Sequence, residues 1–221
     1  MAPVKRQRPA LNDPPKDLHR LDGFPEYRLR KGKQLFRAHA ALNGPWWFAS
    51  DDQGRFNLEP PYGTCYLGID VETAVRERLG NDLMDYSKVS AKFAAEMVVS
   101  KLAVQVGGKL ANVGDRRAVR HGVNRLVSTY SSARYGYAKT RKWAAAFKEI
   151  GMRGIRYESR FTTVAKANAF AVFDDAGDAG LSKSWPADPT PMAGVEACQA
   201  AGLTVLPVPR ARHLRIVPPP S

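Results

Sequence analysis

The sequence is poor in cysteine and histidine. Only two cysteines, Cys65 and Cys198, occur in 221 residues, and they are far apart and outside any Cys-x-x-Cys pattern. This argues against a disulfide framework and against a structural zinc site. The four histidines show no His-Glu-x-x-His or other metal-ligand spacing. We therefore expect no metal.

Long hydrophobic runs and several well-known signatures are also missing. No apolar stretch approaches the roughly 18 residues that a membrane helix needs, and the basic, proline-rich N-terminus lacks the hydrophobic region of a signal peptide. We therefore expect a cytoplasmic protein with no membrane partner. The patterns GxGxxG after a strand, GxxxxGK[ST] and GxSxG do not occur. Their absence argues against a dinucleotide-binding Rossmann fold, a P-loop and an α/β-hydrolase.

Positive charge is abundant. The chain has 34 lysines and arginines against 21 acidic residues, a formal net charge of +13. Such an excess suits nucleic acid, an anionic membrane surface or a polyanionic small substrate, and charge alone does not choose among them. A cluster of tyrosines, Tyr130, Tyr135 and Tyr137, lies near the basic residues Arg134, Lys139 and Arg141. A nucleic-acid-binding protein without catalysis therefore stays open as an alternative.

The length favours one domain with extensions. Residues 1–26 are rich in proline and charge, which predicts a flexible tail. Residues 27–175 form the predicted main domain, and 176–221 form a C-terminal extension that packs on it or trails from it. The mixture of strand and helix patterns predicts an α+β fold with a central β core and flanking helices.

Hydrophobic spacing predicts the individual elements. Strands are predicted at 34–40, 55–57, 64–69, 98–113 (one or two strands), 155–159 and 168–173. Helices are predicted from Asp70 to Gly80 and over 87–97, 115–130 and 138–150, with a short helix and a strand within 191–207. Asp70 is suited to cap the first of these helices and Gly80 to end it.

Four short segments each carry a polar residue that could do chemistry. They are Gly-Arg-Phe-Asn (54–57), Cys-Tyr-Leu-Gly (65–68), Ala-Val-Arg-Glu (74–77) and Gly-Ile-Arg-Tyr-Glu-Ser-Arg (154–160). An arginine such as Arg55 can fork onto a phosphate, and Tyr66 can stack on a planar ring. Glu77 offers a carboxylate and Ser159 a hydroxyl. Taken singly, each residue also has an ordinary structural interpretation, such as a surface charge, a packed aromatic ring or a satisfied serine.

Periodicity indicates which face of its strand or helix two of these residues occupy. The two-residue repeat of a strand puts Ser159 on the same inward face as Ile155 and Tyr157. A hydroxyl on that face needs a hydrogen-bond partner. Glu77 lies at one edge of the apolar stripe of its helix, but periodicity does not separate it from Glu72 at the other edge.

Together, in this order, the four segments resemble the RES domain family, which is named for its Arg, Glu and Ser residues and includes toxins of bacterial toxin-antitoxin pairs. The resemblance covers roughly residues 34–173. It matches Arg55 to the arginine of a Gly-Arg-aromatic-Asn turn, Tyr66 to the tyrosine of a Tyr-Leu strand, Glu77 to the glutamate of the next helix, Ser159 to the serine near the domain end, and Arg37 to another frequent arginine.

The resemblance implies a fold similar to that of ADP-ribosyltransferases and NAD as a substrate, with no bound cofactor. It implies that Arg55, helped by Arg37, binds the NAD diphosphate and that Tyr66 packs on the nicotinamide. Ser159 would orient the ribose, and Glu77 would stabilise the positive charge that forms on the sugar when the nicotinamide bond breaks.

Three questions stay open at this point. The acceptor could be water, phosphate or a protein side chain, which correspond to a glycohydrolase, a phosphorylase and a protein ADP-ribosyltransferase. The partners could include a protein antitoxin and a second copy of the chain. The basic N-terminal tail and the C-terminal extension depart from the compact toxins of the family, so the resemblance implies the toxin role less directly than the NAD chemistry.

Overall fold

The computed structural model describes residues 11–80, 87–123, 137–162, 167–179, 188 and 190–208. Within these ranges the strands are β1 (Glu26–Leu29), β2 (Gln34–Ala40), β3 (Trp47–Phe48), β4 (Tyr62–Gly68), β5 (Lys88–Ser90), β6 (Met97–Ala103), β7 (Gly108–Asn112), β8 (Gly154–Glu158), β9 (Asn168–Asp175), β10 (Gly177–Asp178), β11 (Met192–Ala193) and β12 (Thr204–Leu206). The α-helices are α1 (Val71–Leu79), α2 (Ala91–Ala95), α3 (Ala138–Glu149) and α4 (Gly194–Ala200), and two 3-10 helices span Leu18–Leu21 and Arg116–His121.

Eight strands form one mixed sheet in the order β1-β7-β8-β9-β4-β2-β6-β11. Strands β7 and β8 run parallel, and the other neighbours run antiparallel. Outside this sheet, β3 pairs with β10 and β5 pairs with β12. The predicted α+β fold of a single domain with flanking helices is confirmed.

Alternation along the central strands separates two core clusters on opposite faces of the sheet. Tyr157 on β8 packs in the first cluster, which also contains Trp143 and Phe147 of α3. Cys65 and Leu67 on β4 pack in the second cluster. A third cluster joins α1, α2 and α4 to the end of the sheet formed by β2 and β6. The helix that carries Glu77 is therefore held against the sheet by its buried stripe.

The predicted strand at residues 55–57 is wrong. These residues lie in an irregular segment, 51–60, that leads into β4. The amide of Phe56 donates to the Tyr66 hydroxyl over 2.7 Å, and the Asn57 side chain donates to the backbone and side chain of Asp51. Because side chains satisfy these groups, the segment needs no strand partner.

Two predicted helices are also wrong in part. Within 87–97, Lys88–Ser90 is a strand because it pairs with β12, and Ser90 then caps the one-turn helix α2. Within 115–130, the described part is a 3-10 helix that begins after Asp115 and ends at Gly122, which has a φ of 79°. Residues 124–130 of that predicted helix lie outside the described ranges.

The described part of the predicted N-terminal tail is packed. Leu11, Leu21 and Phe24 are buried in the first core cluster, and the indole of Trp143 donates to the backbone carbonyl of Asn12 over 2.8 Å. A few well-placed apolar residues are enough to anchor residues 11–24 on α3, which composition alone did not reveal. In the predicted C-terminal extension, β11 joins the sheet and α4 packs on α1. The predicted boundaries of the main domain, at residues 27 and 175, stay predictions.

No helix among the described residues is long and apolar enough to cross a membrane. In the same ranges, no three His, Cys, Asp or Glu side chains come together as a metal site would require.

Candidate active site

A pocket of about 320 Å³ opens where β2 and β4 diverge. These two strands share a single register pair, Phe36 with Gly68, so the sheet separates beside it. The pocket combines basic, acidic and aromatic side chains from six parts of the chain. Among the described residues, its charged and aromatic lining consists of Arg37, Arg55, Arg78, Arg160, Glu77, Tyr66, Tyr137 and Phe161.

Helix α1 brings Glu77 to this pocket. The Asp70 side chain accepts a hydrogen bond from the Thr73 amide over 2.7 Å and so caps the helix as predicted. Gly68, the last residue of β4, allows the helix to start close to the sheet, because a Cβ there would come within 2.6 Å of the Ala74 amide nitrogen. The cap fixes where helix α1 begins, and the glycine lets it lie close to β4. Together they fix the position of Glu77 relative to the strands.

Both carboxylate oxygens of Glu77 accept hydrogen bonds from β8 and the residue after it. The Tyr157 hydroxyl donates to Oε2 and the Ser159 hydroxyl donates to Oε1, each over 2.7 Å. Ser159 Oγ also accepts a bond from the Phe161 amide over 3.3 Å. Burial, and then the charge of Glu77, raise the pKa of Tyr157, so this phenol stays protonated and donates. The carboxylate is thereby held in one orientation.

The structure distinguishes Glu77 from Glu72. Glu72 accepts a 2.9 Å ion-paired hydrogen bond from Arg76 and a 3.3 Å bond from the Thr162 hydroxyl. Of these two carboxylates, that of Glu77 lines the pocket. Periodicity could not choose between these two glutamates. The structure does so because β8 lies beside the edge of the helix that carries Glu77.

Tyr66 anchors the segment that carries Arg55. Its hydroxyl accepts a bond from the Phe56 amide over 2.7 Å and donates to Asn57 Oδ1 over 2.9 Å. Burial raises the pKa of Tyr66, so this hydroxyl remains neutral. Tyr66 lines the pocket, and its stacking role stays a prediction. Its hydroxyl also stabilises the segment before β4, which the sequence did not reveal.

Arg55 is almost completely enclosed, with 7% of its surface exposed, and it still lines the pocket. Its guanidinium carbon lies 5.5 Å from the ring centroid of Tyr157 and 5.6 Å from that of Phe56. Aromatic faces at this distance attract a cation. The arginine is therefore held beside the same tyrosine that holds Glu77.

Arg37 lines the pocket from β2, where it was predicted. Its Nη1 donates to the Pro45 carbonyl over 2.7 Å and to the Cys65 sulfur over 2.9 Å. This nitrogen is occupied by protein partners, so a phosphate contact from Arg37 would have to use another of its N–H groups. Its predicted role in binding a diphosphate stays a prediction.

The guanidinium groups that line the pocket repel one another. Burial and the charge of Arg37 lower the pKa of Arg78, and burial and the charge of Arg55 lower the pKa of Arg160. The described residues that line the pocket include four arginines and one glutamate, so this part of the lining is strongly positive. A bound anion would relieve this repulsion.

Sequence reasoning missed several lining or supporting residues. Tyr157 is on the predicted inward face of β8, two residues before Ser159, and that spacing was the available signal. Arg78 and Arg160 directly follow Glu77 and Ser159, but basic residues are too common in this chain for adjacency to single them out.

The predicted aromatic and basic cluster around residues 130–141 is described only in part. Tyr130, Arg134 and Tyr135 lie outside the described residues. Tyr137 lines the pocket, and Arg141 donates from Nε to the Asn57 carbonyl over 3.3 Å. These two members therefore contact the candidate active site and the segment that supports it.

The chain is similar to known proteins in family and in fold. The family model of the RES domain matches residues 27–192. A chain in the crystal structure of the M. tuberculosis MbcT-MbcA toxin-antitoxin complex is similar in fold, with a TM-score of 0.59 at 10% sequence identity over 84% of this chain and 96% of that one. None of the curated proteins matches the chain. Since the family match covers well over half of its length, this chain belongs to the RES domain family.

Proposed function

We propose that this protein cleaves the bond between nicotinamide and ribose in NAD. One observation carries the proposal. The carboxylate of Glu77 is fixed by two hydroxyl donors at the wall of a pocket that four arginines line. A fixed carboxylate suits a substrate that becomes cationic as it reacts, and the arginines suit its diphosphate.

The chemistry follows from the charges. When the C1′–N bond breaks, its electron pair moves to the nicotinamide ring and neutralises it, and positive charge develops on the ribose C1′ and ring oxygen. Glu77 stabilises that charge from one side, as carboxylates do in glycoside hydrolysis. An acceptor oxygen then forms the new bond to C1′, and a water acceptor releases one proton. Arg55 holds the diphosphate, and Tyr66 packs against the leaving ring.

The role of Ser159 is narrower than the sequence suggested. Its hydroxyl has one proton, which it donates in a hydrogen bond to Glu77. Ser159 therefore acts on the ribose through the orientation of Glu77 in this proposal, and direct contact with the sugar is not required. Each Glu77 oxygen keeps a second lone pair for a ribose hydroxyl.

The acceptor is identified by the products. Purified protein is incubated with NAD, with and without phosphate and with a bacterial lysate, and the products are separated. Free nicotinamide with ADP-ribose indicates water as the acceptor, ADP-ribose phosphate indicates phosphate, and labelled protein indicates a side chain. Intact NAD in every reaction, together with a salt-sensitive shift of DNA, would overturn the proposal in favour of a nucleic-acid-binding protein.

We further propose that the chain is the toxin of a toxin-antitoxin pair. The support is its membership of the RES domain family and its similarity in fold to a chain from a structure described as a toxin-antitoxin complex. Expression of the wild-type protein should arrest bacterial growth, and expression of Glu77→Gln should not. Equal growth with both proteins would contradict the toxin role but leave the NAD chemistry to the product assay.

A further inference from the structure

Tyr157 contacts two groups of the candidate active site that come from different parts of the chain. Glu77 is on α1, and Arg55 is in the segment before β4. We propose that Tyr157 is a positioning residue that holds the Glu77 carboxylate and the Arg55 guanidinium in one fixed arrangement. Its kinetic consequence rests on the proposed cleavage of NAD.

The contact with Glu77 uses the tyrosine hydroxyl. It donates to Oε2 over 2.7 Å, across 80 positions of sequence. A hydrogen bond to a charged group in a buried place is stronger and more directional than one in water. The hydroxyl therefore fixes the rotation of the carboxylate plane together with Ser159, which holds the other oxygen, Oε1.

The contact with Arg55 uses the tyrosine ring. The guanidinium carbon lies 5.5 Å from the ring centroid. The ring itself cannot swing away, because it is fully buried and meets the Phe56 ring edge-on at 5.2 Å with an interplanar angle of 61°. The face that Arg55 approaches is therefore fixed by the core.

The two contacts make Tyr157 a bridge that Ser159 cannot replace. Ser159 holds a Glu77 oxygen but has no ring for the guanidinium. Because β8 is a central strand between β7 and β9, its position is set by the sheet. The distance between the anionic and cationic groups of the pocket is then set by a rigid element, which is what precise placement of a substrate between them requires.

Two substitutions separate the hydroxyl from the ring. Tyr157→Phe removes only the hydroxyl, and we expect kcat for NAD to fall about tenfold to a hundredfold with KM within about twofold. Tyr157→Leu also removes the ring, and we expect KM to rise in addition. Tyr27→Phe is the matched control, since Tyr27 contacts Phe170 on the opposite face of the sheet and lines no part of the pocket.

A second measurement does not depend on activity. Urea unfolding is followed for wild type, Tyr157→Phe, Glu77→Ala and the double variant. Tyr157→Phe should lower the unfolding midpoint, and this shift should shrink by more than half when Glu77 is already absent. Additive shifts would show that the Tyr157 hydroxyl does not hold Glu77, and would overturn the proposal.

The outcomes keep the two proposals apart. If wild type consumes NAD and Tyr157→Phe has the same kcat and KM, the positioning role is overturned while the proposed function stands. If wild type does not consume NAD, the proposed function falls, and the unfolding cycle still decides whether Tyr157 holds Glu77.

Discussion

Ser159 donates a hydrogen bond from its hydroxyl to Oε1 of Glu77 over 2.7 Å, although 82 positions separate the two residues in sequence. The serine follows a central strand, and the glutamate lies on a helix that packs on the sheet. The contact therefore joins helix α1 to the sheet at the pocket. It also links two of the three residue types for which the family is named.

The first prediction concerns the carboxylate. Glu77→Gln should lower NAD turnover about a hundredfold or more, because the neutral amide cannot stabilise a cationic ribose. The fold should persist, since the amide oxygen can still accept a hydrogen bond. Turnover is measured as nicotinamide release, and folding by circular dichroism.

Glu72→Gln is the matched control for this substitution. It lies on the same helix and loses its pairing with Arg76. We expect turnover within about twofold of wild type, because partly exposed ion pairs contribute little. Equal losses in the two variants would mean that helix stability, and not the pocket carboxylate, controls activity.

The second prediction concerns the serine. Ser159→Ala should lower kcat about tenfold, because Glu77 loses one of its two fixed donors. KM should change little if the serine acts through Glu77, and should rise if it contacts the substrate directly. Ser90→Ala, which removes a helix-capping hydroxyl outside the pocket, should leave both constants unchanged.

The fold was predictable where the signals are local. Helix α1 was predicted because Asp70, the apolar stripe and Gly80 all lie within eleven consecutive residues. The irregular backbone at residues 55–57 was not, because the Phe56 amide is satisfied by the hydroxyl of Tyr66, which belongs to the next strand. Strand β5 was not predicted either, because its pairing partner β12 lies near the other end of the chain. Such long-range pairing leaves no local pattern.

In the candidate site, too, the residues with a local sequence signal were predictable and those that depend on long-range contacts were not. The inward face of β8 could be derived from a two-residue period, so Ser159 was placed correctly beside Tyr157. The choice of Glu77 over Glu72 could not, since both flank the same stripe. Arg78 and Arg160 carried no distinguishing signal in a chain with 34 basic residues. Their role depends on how α1 and the end of β8 converge on one pocket.

The third prediction concerns the anchor of Arg55. Tyr66→Phe keeps the ring in the pocket but removes the hydroxyl that bonds to Phe56 and Asn57. The segment that carries Arg55 should lose its fixed position, and KM for NAD should rise about tenfold. Steady-state kinetics checks this. A fall in kcat at constant KM would instead indicate that the hydroxyl acts in the chemical step.

The fourth prediction concerns the helix cap. Asp70→Ala should lower the free energy of unfolding by about 1 kcal/mol, because the Thr73 amide loses its partner. Asp70→Asn should recover most of this loss, since asparagine caps helices about as well. Urea denaturation measures both variants. An asparagine variant as unstable as the alanine variant would show that charge, and not the cap, is responsible.

The fifth prediction concerns pH and a buried histidine away from the pocket carboxylate. His39 bonds through Nδ1 to the Ala40 carbonyl and through Nε2 to the Ser100 hydroxyl, which suits the neutral ring. Burial, opposed by the Ala40 bond and assisted by the charges of Arg37 and Arg78, lowers the pKa of His39 from 6.5. The unfolded chain therefore binds a proton at a higher pH than the folded protein does.

The sign of the effect follows from this difference. The stability contributed by neutral His39 is fully present above pH 6.5, and it is lost as the pH falls below that value towards the lowered pKa of the folded state. His39→Gln removes the titrating group. The destabilisation caused by this substitution should therefore be larger at pH 7.5 than at about pH 5, when both proteins are unfolded in urea. A destabilisation that is constant or grows on acidification would show that His39 does not titrate in this way, because a group with a lowered pKa can only weaken the folded state as protons are added.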